Sequence, residues 1–504
     1  MSTARNVTRL LVSAAHKSSG KTTVALGLAA AFAARGLAVQ TFKKGPDYID
    51  PMWLARASGR PCFNLDPYLM TDAQIAASVA RHAADADLAL VEGNKGLYDG
   101  LALDGSNSNA ALARQLDLPV VLVIDARGMT RGIAPLILGY QAFDREVRIA
   151  GVILNQLGGA RHEAKLRAVI EHYTDVPVVG AVAHDARLAL PQRHLGLMPA
   201  AEFDEPDAPV RAIGALIAAQ VDLDRLWAVV TPTALRTPEA ATPTAPAGAP
   251  RETTHPLTRE ITRAAALSVA RPAPPEPVRI GIARDQAFAF YYPDDLAALE
   301  AAGARLVPFD TLRDARLPAV DGVFIGGGFP EMFMAELQAN VSLRGELRAA
   351  IDAGLPVYAE CGGLMYLARS IAWNGQVAHM VGAIPGDAVM HERPVGRGYV
   401  HLRETAAHPW PLAGAARELR AHEFHHSSLD NLAPEVGFAY RVTRGHGVDG
   451  TRDGIVHRNV LASYAHLRSV GGNEWAARYV AFVRTVGAAR CVATPAPRAD
   501  MVAA

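Results

Sequence analysis

Between Thr231 and Pro277 the chain places ten prolines in 47 residues, TPTALRTPEAATPTAPAGAPRETTHPLTREITRAAALSVARPAPPEP. Proline gives no backbone N–H to a helix or ladder and restricts the residue before it, so no sheet or long helix can run through this stretch. Whatever folds must fold on either side of it. The stretch reads as a linker over residues 231–277, with one short helix expected at LTREITRAAALSV. In a chain of 504 residues, each flank is long enough to bury a core of its own.

Before the linker, short β-branched runs alternate with longer alanine- and leucine-rich runs. Strands are expected at Arg9–Ala14, Ala38–Phe42, Leu88–Glu92, Val120–Asp125, Ile149–Asn155 and Val178–Val182, with helices between them at Lys21–Arg35 and Asn107–Leu116. That rhythm predicts a mostly parallel sheet covered by helices. It restarts after the linker with VRIGIA, a helix over PDDLAALEAAG, then ARLVPF, DGVFIGG and PVYAE. The expected fold class is therefore α/β in two domains, residues 1–230 and 278–490, with a flexible tail at 491–504.

Lysine plus arginine match aspartate plus glutamate at 50 each, which excludes broad electrostatic attraction to nucleic acid or anionic lipid. Three cysteines cannot build a disulfide framework. The N-terminal apolar run is short and leads straight into a glycine-containing motif, so no secretory signal or membrane span is read. The expected location is the cytoplasm.

The sharpest motif of the first half is A-x-x-x-x-G-K-T, Ala15 to Thr22, directly after a strand and opening a helix. Ser18, Ser19, Gly20, Lys21, Thr22 and Thr23 form a loop whose backbone donors can cradle a nucleotide phosphate. Lys21 adds charge and Thr22 an oxygen for Mg²⁺. The usual pattern starts with glycine; Ala15 fits only at negative φ. Lys43, Lys44 and Asp47 follow the second strand in FKKGPDYIDP, and Glu92 ends the third. Ligands gather beyond the carboxyl ends of such strands, so Thr22, Asp47 and Glu92 are the candidate magnesium ligands and Lys43 the candidate partner of a transferring phosphoryl group. No guanine-reading signature is present, which favours ATP.

The second half offers PVYAECGGLMYL, a strand turning at Cys361 into a helix. Such an elbow exposes a nucleophile beside open backbone N–H groups. Gly326, Gly327 and Gly328 end another strand, so Gly327, Gly328 and Gly362 are candidate oxyanion-hole donors. The thiolate needs a base. His466, at the end of an apolar run, and the cluster His422, His425 and His426 are the candidates, and the sequence does not choose between them. Cys62 lies in a loop expected near substrate or an interface, and Cys491 reads as incidental.

In order and coverage, SSGKTT, FKKGPDYIDP, GRPCFNLDP, VEGNKGLYDG, RHLGL, RDQAFAFYYPDDL, IGGGFPE, YAECGGLMYL, HEFHHSSL and ASYAHL resemble the cobyrinate or hydrogenobyrinate a,c-diamide synthases. These join a dethiobiotin-synthetase-like ATPase domain to a class I glutamine amidotransferase domain of flavodoxin-like fold. The resemblance implies a ligase using ATP and Mg²⁺ that amidates two acetate side chains of a tetrapyrrole polycarboxylate through acyl phosphates. L-glutamine supplies the nitrogen, with Cys361 as glutaminase nucleophile and His466 as its base. Lys44, Tyr48, Asp50 and Arg60 are expected to hold the macrocycle, and a homodimer is compatible with the family. Two departures stand out. Ala15 replaces the first loop glycine, and Arg468-Ser469 replaces a frequent His-Phe pair. Arg468 also occupies the place where class I amidotransferases often carry a glutamate, so an acid orienting His466 must come from elsewhere. Rivals are the same chemistry on a nickel-sirohydrochlorin, cobyric acid synthase, which RDQAFAFYYPDDL argues against, or a regulatory P-loop ATPase.

Overall fold

A computed structural model describes residues 7–188, 190–193, 196–203, 205–231, 276–410 and 418–493. The expected linker, apart from its ends, and its short helix at LTREITRAAALSV lie outside the described residues. The described residues up to 231 and from 277 onward condense into one compact unit.

The first half is a seven-stranded sheet: β1 (Thr8–Ala14), β2 (Val39–Lys44), β3 (Phe63–Leu65), β4 (Leu88–Glu92), β5 (Val120–Asp125), β6 (Ile149–Leu157) and β7 (Val178–Ala183). Their order is β3-β2-β4-β1-β5-β6-β7, and every pairing is parallel. The strands read as unbroken apolar runs because both faces are covered. Along β1, Leu11 faces one core while Leu10, Val12 and Ala14 face the other. Helices α1 (Lys21–Ala34) and α2 (Ile49–Ser58) cover the face of Leu10, whereas α3 (Asp72–His82) and α4 (Asn109–Leu116) cover the opposite one. The carboxyl ends of β1, β2 and β4, centrally placed side by side, carry the candidate phosphate chemistry.

The second half holds a nine-stranded sheet. Its parallel part runs in the order Ala304–Phe309, Val278–Ala283, Gly322–Ile325, Val357–Glu360, Val460–Ser463. An antiparallel extension follows: Arg452–His457, Gly437–Arg444, Gly396–Glu404, Glu418–His425. The parallel part matches the strands expected from the sequence. The extension was not read: a strand such as Glu418–His425 alternates buried and open positions, and so lacks the apolar run that marks a doubly covered sheet. The three-residue β3 was also missed. The last helix, Trp475–Ala493, runs past residue 490 into what the composition reads as a tail, and includes Cys491.

Candidate active sites

The phosphate loop is built as its spacing demands. Gly20 opens α1 at φ +83°, and a Cβ there would lie 2.1 Å from Asn155 Nδ2. Asn155 itself, at the tip of β6, donates to Ser19 O at 2.8 Å and props the loop from below. Ser18 takes φ +67°, Ser19 Oγ donates to His16 O at 2.8 Å, and Thr23 continues the helix. No side chain caps α1, so its first amides are free to meet an anion. Ala15 is not among the described residues with positive φ, which is why alanine is accommodated there.

Around the helix start, four charged groups and a hydroxyl converge. Glu92 Oε1 accepts from Thr22 Oγ1 at 2.6 Å and lies 3.2 Å from Lys21 Nζ and 3.0 Å from Lys43 Nζ. Asp50 Oδ2 lies 2.5 Å from Lys43 Nζ and accepts from Thr22 Oγ1 at 3.3 Å. Burial works against charge on Lys43, but Asp50, Glu92 and Asp47 outweigh it and hold the ammonium above its ordinary range. Burial likewise opposes charge on Asp50, and Lys43 and Lys21 overcome it, keeping that carboxylate ionised.

The acid beside Thr22 is therefore Asp50, not Asp47. Asp47 Oδ1 accepts from the N–H groups of Ile49 and Asp50 at 2.9 and 3.0 Å, capping α2. Burial and then Asp50 push its carboxyl up to about 7. Among the described residues no group of three or more His, Cys, Asp or Glu could hold a metal alone. Mg²⁺, which keeps waters and borrows phosphate oxygens, does not need one. Glu92 Oε2, buried and without a hydrogen bond, fits the direct ligand of such an ion, with Thr22 and Asp50 beside it.

Two more expected macrocycle contacts sit differently from expectation. Arg60 is paired with Asp85 at 2.6 Å and donates to Gln40 Oε1 at 3.1 Å, so its guanidinium is already committed. Tyr48 is turned away from the lysines and packs its ring on Phe290, Tyr292 and His466, at centroid distances of 5.2, 4.3 and 5.1 Å. Lys44 donates to Asn94 Oδ1 at 3.1 Å and Asn107 O at 2.6 Å, and burial brings its amine down to about 8.

In the second half, Cys361 turns the strand Val357–Glu360 into the helix Gly362–Leu367 at φ +48°, ψ −102°, a strained conformation for a side-chain-bearing residue. Its N–H donates to Ser463 O at 2.7 Å, which fixes the elbow to the strand that leads to His466. His466 Nδ1 lies 3.3 Å from Glu360 Oε2, both side chains buried. Burial opposes charge on this imidazole, yet Cys361 and Glu360 raise its pKa to about 10. A Cβ on Gly327 would approach His466 Cε1 to 2.7 Å, and one on Gly362 would come within 3.0 Å of Gly328 N. Only glycines let the two backbone walls close around the thiol.

The histidines now separate. His466 faces Cys361; His422 lies behind it, ring centroids 6.3 Å apart, and burial together with His466 pushes its pKa down to about 3. His425 stacks on Tyr464 at 3.8 Å and bonds Ser427 O, and His426 bonds His391 O, both holding the fold. Cys62 is buried, and burial pushes its thiol up. Glu360, whose carboxylate lies beside His466, is not singled out by the sequence, although a charged residue ending an apolar strand directly before Cys361 is a usable signal. Asn155 left no comparable sign.

A family model described as a CobB/CobQ-like glutamine amidotransferase domain matches residues 279–473, and one described as an AAA domain matches residues 66–192. A cobyrinate a,c-diamide synthase of Magnetococcus marinus is 45% identical over 95% of this chain and 98% of its own. Namesakes from Methanosarcina barkeri and Listeria monocytogenes are 40% and 37% identical over 95% and 91% of this chain, and 96% of each of theirs. The chain belongs to the cobyrinate a,c-diamide synthase family. It is a glutamine-hydrolysing, amide-forming ligase, with a P-loop domain ahead of a glutamine amidotransferase domain. Among its described residues no helix is long and apolar enough to cross a membrane.

Proposed function

We propose that this enzyme converts the a- and c-acetate carboxylates of cobyrinate or hydrogenobyrinate to amides, using ATP and glutamine, in cobalamin biosynthesis. The observation that supports the reading most is the pairing of two complete sets of groups in one compact unit. One set, Lys21, Thr22, Lys43, Asp50 and Glu92, suits phosphoryl transfer. The other, Cys361, His466 and Glu360, suits amide hydrolysis.

A carboxylate repels a nucleophile and lacks a leaving group. Phosphoryl transfer from ATP to one of its oxygens gives an acyl phosphate with a good one. The loop amides and Lys21 hold the nucleotide phosphates, and Lys43 lies where charge on the transferring group is neutralised. Thr22, Asp50 and Glu92 would hold Mg²⁺, which would neutralise charge developing on the phosphates. In the other domain the Cys361 thiolate attacks the glutamine side-chain amide. His466, held by Glu360, gives its proton to the departing ammonia, and water clears the thioester as glutamate. Backbone N–H groups of Gly327, Gly328 and Gly362 would receive the oxyanion. Ammonia displaces phosphate, and the cycle repeats on the second acetate.

The test is a mass-resolved assay with MgATP, glutamine and, separately, cobyrinate, hydrogenobyrinate or nickel-sirohydrochlorin. Two successive amidations of a corrin acid support the proposal. Amidation of the nickel ring alone moves the chemistry to another tetrapyrrole. No mass change with any ring overturns it.

A further inference from the structure

Arg468 stands two residues beyond His466, 1% exposed, with no counterpart role in the chemistry above. Its guanidinium bridges the two halves, held by Asp294 and Tyr292 on the amidotransferase side and reaching Asn64 and Met70 on the other. Nη2 lies 3.0 Å from Asp294 Oδ2 and donates to Asn64 O at 3.4 Å; Nη1 approaches Met70 Sδ at 3.8 Å; the ring of Tyr292 lies 4.5 Å away. Asn64 and Met70 belong to the P-loop half.

What Arg468 grips there is the frame of the other active site. Asn64, on β3, pairs in register with Lys43. Its side-chain amide donates to Gly45 O and Asp47 O, both at 2.8 Å, and so fixes the loop that ends in the α2 cap. Three residues after Asp47 comes Asp50, against Lys43 and Thr22. Between them, Tyr48 returns to pack on His466. The contacts form a closed ring: His466, Arg468, Asn64, the 45–50 loop, Tyr48 and His466 again.

On its own side, the segment bearing Arg468 is tightly held. Tyr464 and Ala465 donate to Asp453, both at 3.0 Å, His466 to His422 O at 2.7 Å, Leu467 to Glu360 Oε1 at 2.9 Å and Ser469 to Asp295 Oδ1 at 2.6 Å. Leu467 thus shares the carboxylate that orients His466. The backbone from Tyr464 to Ser469 is held at nearly every N–H, and it offers little slack next to the imidazole.

We propose that Arg468 is a positioning residue that couples the Cys361–His466 pair to occupancy of the phosphate site, through Asn64 and the 45–50 loop. The proposal rests on the two-site reading above. Ligands that draw Asp50 and Lys43 onto nucleotide and ring acid shift this loop, and Arg468 with Tyr48 carries the shift to His466.

The experiment compares wild type with Arg468→Met, which keeps the volume and removes the fork, and Arg468→Lys. The lysine keeps a charge among Asp66, Asp294 and Asp295 but cannot reach Asn64 and Asp294 together. Glutamine hydrolysis is measured with and without MgATP plus the corrin acid, alongside amidation supported by ammonium chloride. In wild type the ligands are expected to stimulate hydrolysis. In both variants that stimulation of kcat is expected to fall about tenfold or more. KM for glutamine and ammonium-supported amidation stay within about twofold of wild type. Full stimulation in either variant overturns the coupling, as does unstimulated hydrolysis in wild type. A parallel fall in ammonium-supported amidation also overturns it, because Arg468 would then serve the P-loop site itself. Wild type that amidates no ring with either nitrogen source overturns the two-site reading instead, and the coupling with it.

Discussion

Replacing Glu360 by glutamine keeps the shape and the acceptor used by Tyr358 Oη, at 2.5 Å, and Leu467 N, at 2.9 Å, while deleting the charge 3.3 Å from His466 Nδ1. The imidazole is raised from 6.5 to about 10 against the opposition of burial, by Cys361 first and Glu360 second. A hydrogen bond to a charged partner contributes about 2 kcal/mol, and that is the scale set for Glu360 here. Removing it should lower the equilibrium constant of the thiolate–imidazolium pair by about 30-fold, so that kcat for glutamine hydrolysis falls by about tenfold or more near pH 10. The sign of the pH effect is fixed. A histidine whose pKa is raised keeps its proton from below 6.5 up to about 10 and loses the pair as pH rises through that value. In Glu360→Gln the alkaline limb of the rate profile should move down by about one to two units, while ammonium-supported amidation is unchanged. Stopped glutaminase assays across pH decide the matter. An alkaline limb that stays in place, or a rate at pH 10 within about twofold of wild type, refutes the assignment of Glu360 as the orienting acid.

Asp50→Asn should cost amidation about 100-fold with either nitrogen source and raise the Mg²⁺ needed, measured by magnesium titration of turnover. Asp47→Ala should instead lower stability by about 1 kcal/mol in denaturant melts, the cost of a lost helix cap; equal loss of activity in both would return Asp47 to the ligand set. At pH 8 a thiol alkylating agent, mapped by mass spectrometry, should modify Cys361 in the native protein and leave Cys62 untouched, because burial raises the Cys62 thiol; rapid native labelling of Cys62 would contradict its placement.

The parts legible in the sequence are those whose causes are local. The phosphate loop and the elbow at Cys361 are each a strand, a turn and a helix within about a dozen residues, and doubly covered strands announce themselves as apolar runs. What was misread depends on direction. Asp47 and Asp50 are three residues apart at the start of one helix, and only the helix decides that the first caps it while the second reaches Lys43. Tyr48, Arg60 and Arg468 carry the chemistry of substrate contacts, yet their partners lie in distant stretches: Phe290, Asp85 and Asn64. Arg468 was noticed as a departure from the family pattern. That it is buried and reaches into the P-loop half became visible only with the fold.

The central claim is that nitrogen released at Cys361 ends on an acid activated beside Lys43 and Asp50. Its most direct test supplies wild type and Cys361→Ala with MgATP, corrin acid, isotope-labelled glutamine and unlabelled ammonium, and weighs the product. Wild type should carry the glutamine label in both new amides, and the variant should carry only ammonium nitrogen at both positions. A variant that still incorporates the label, or a wild type that never does, would contradict the account.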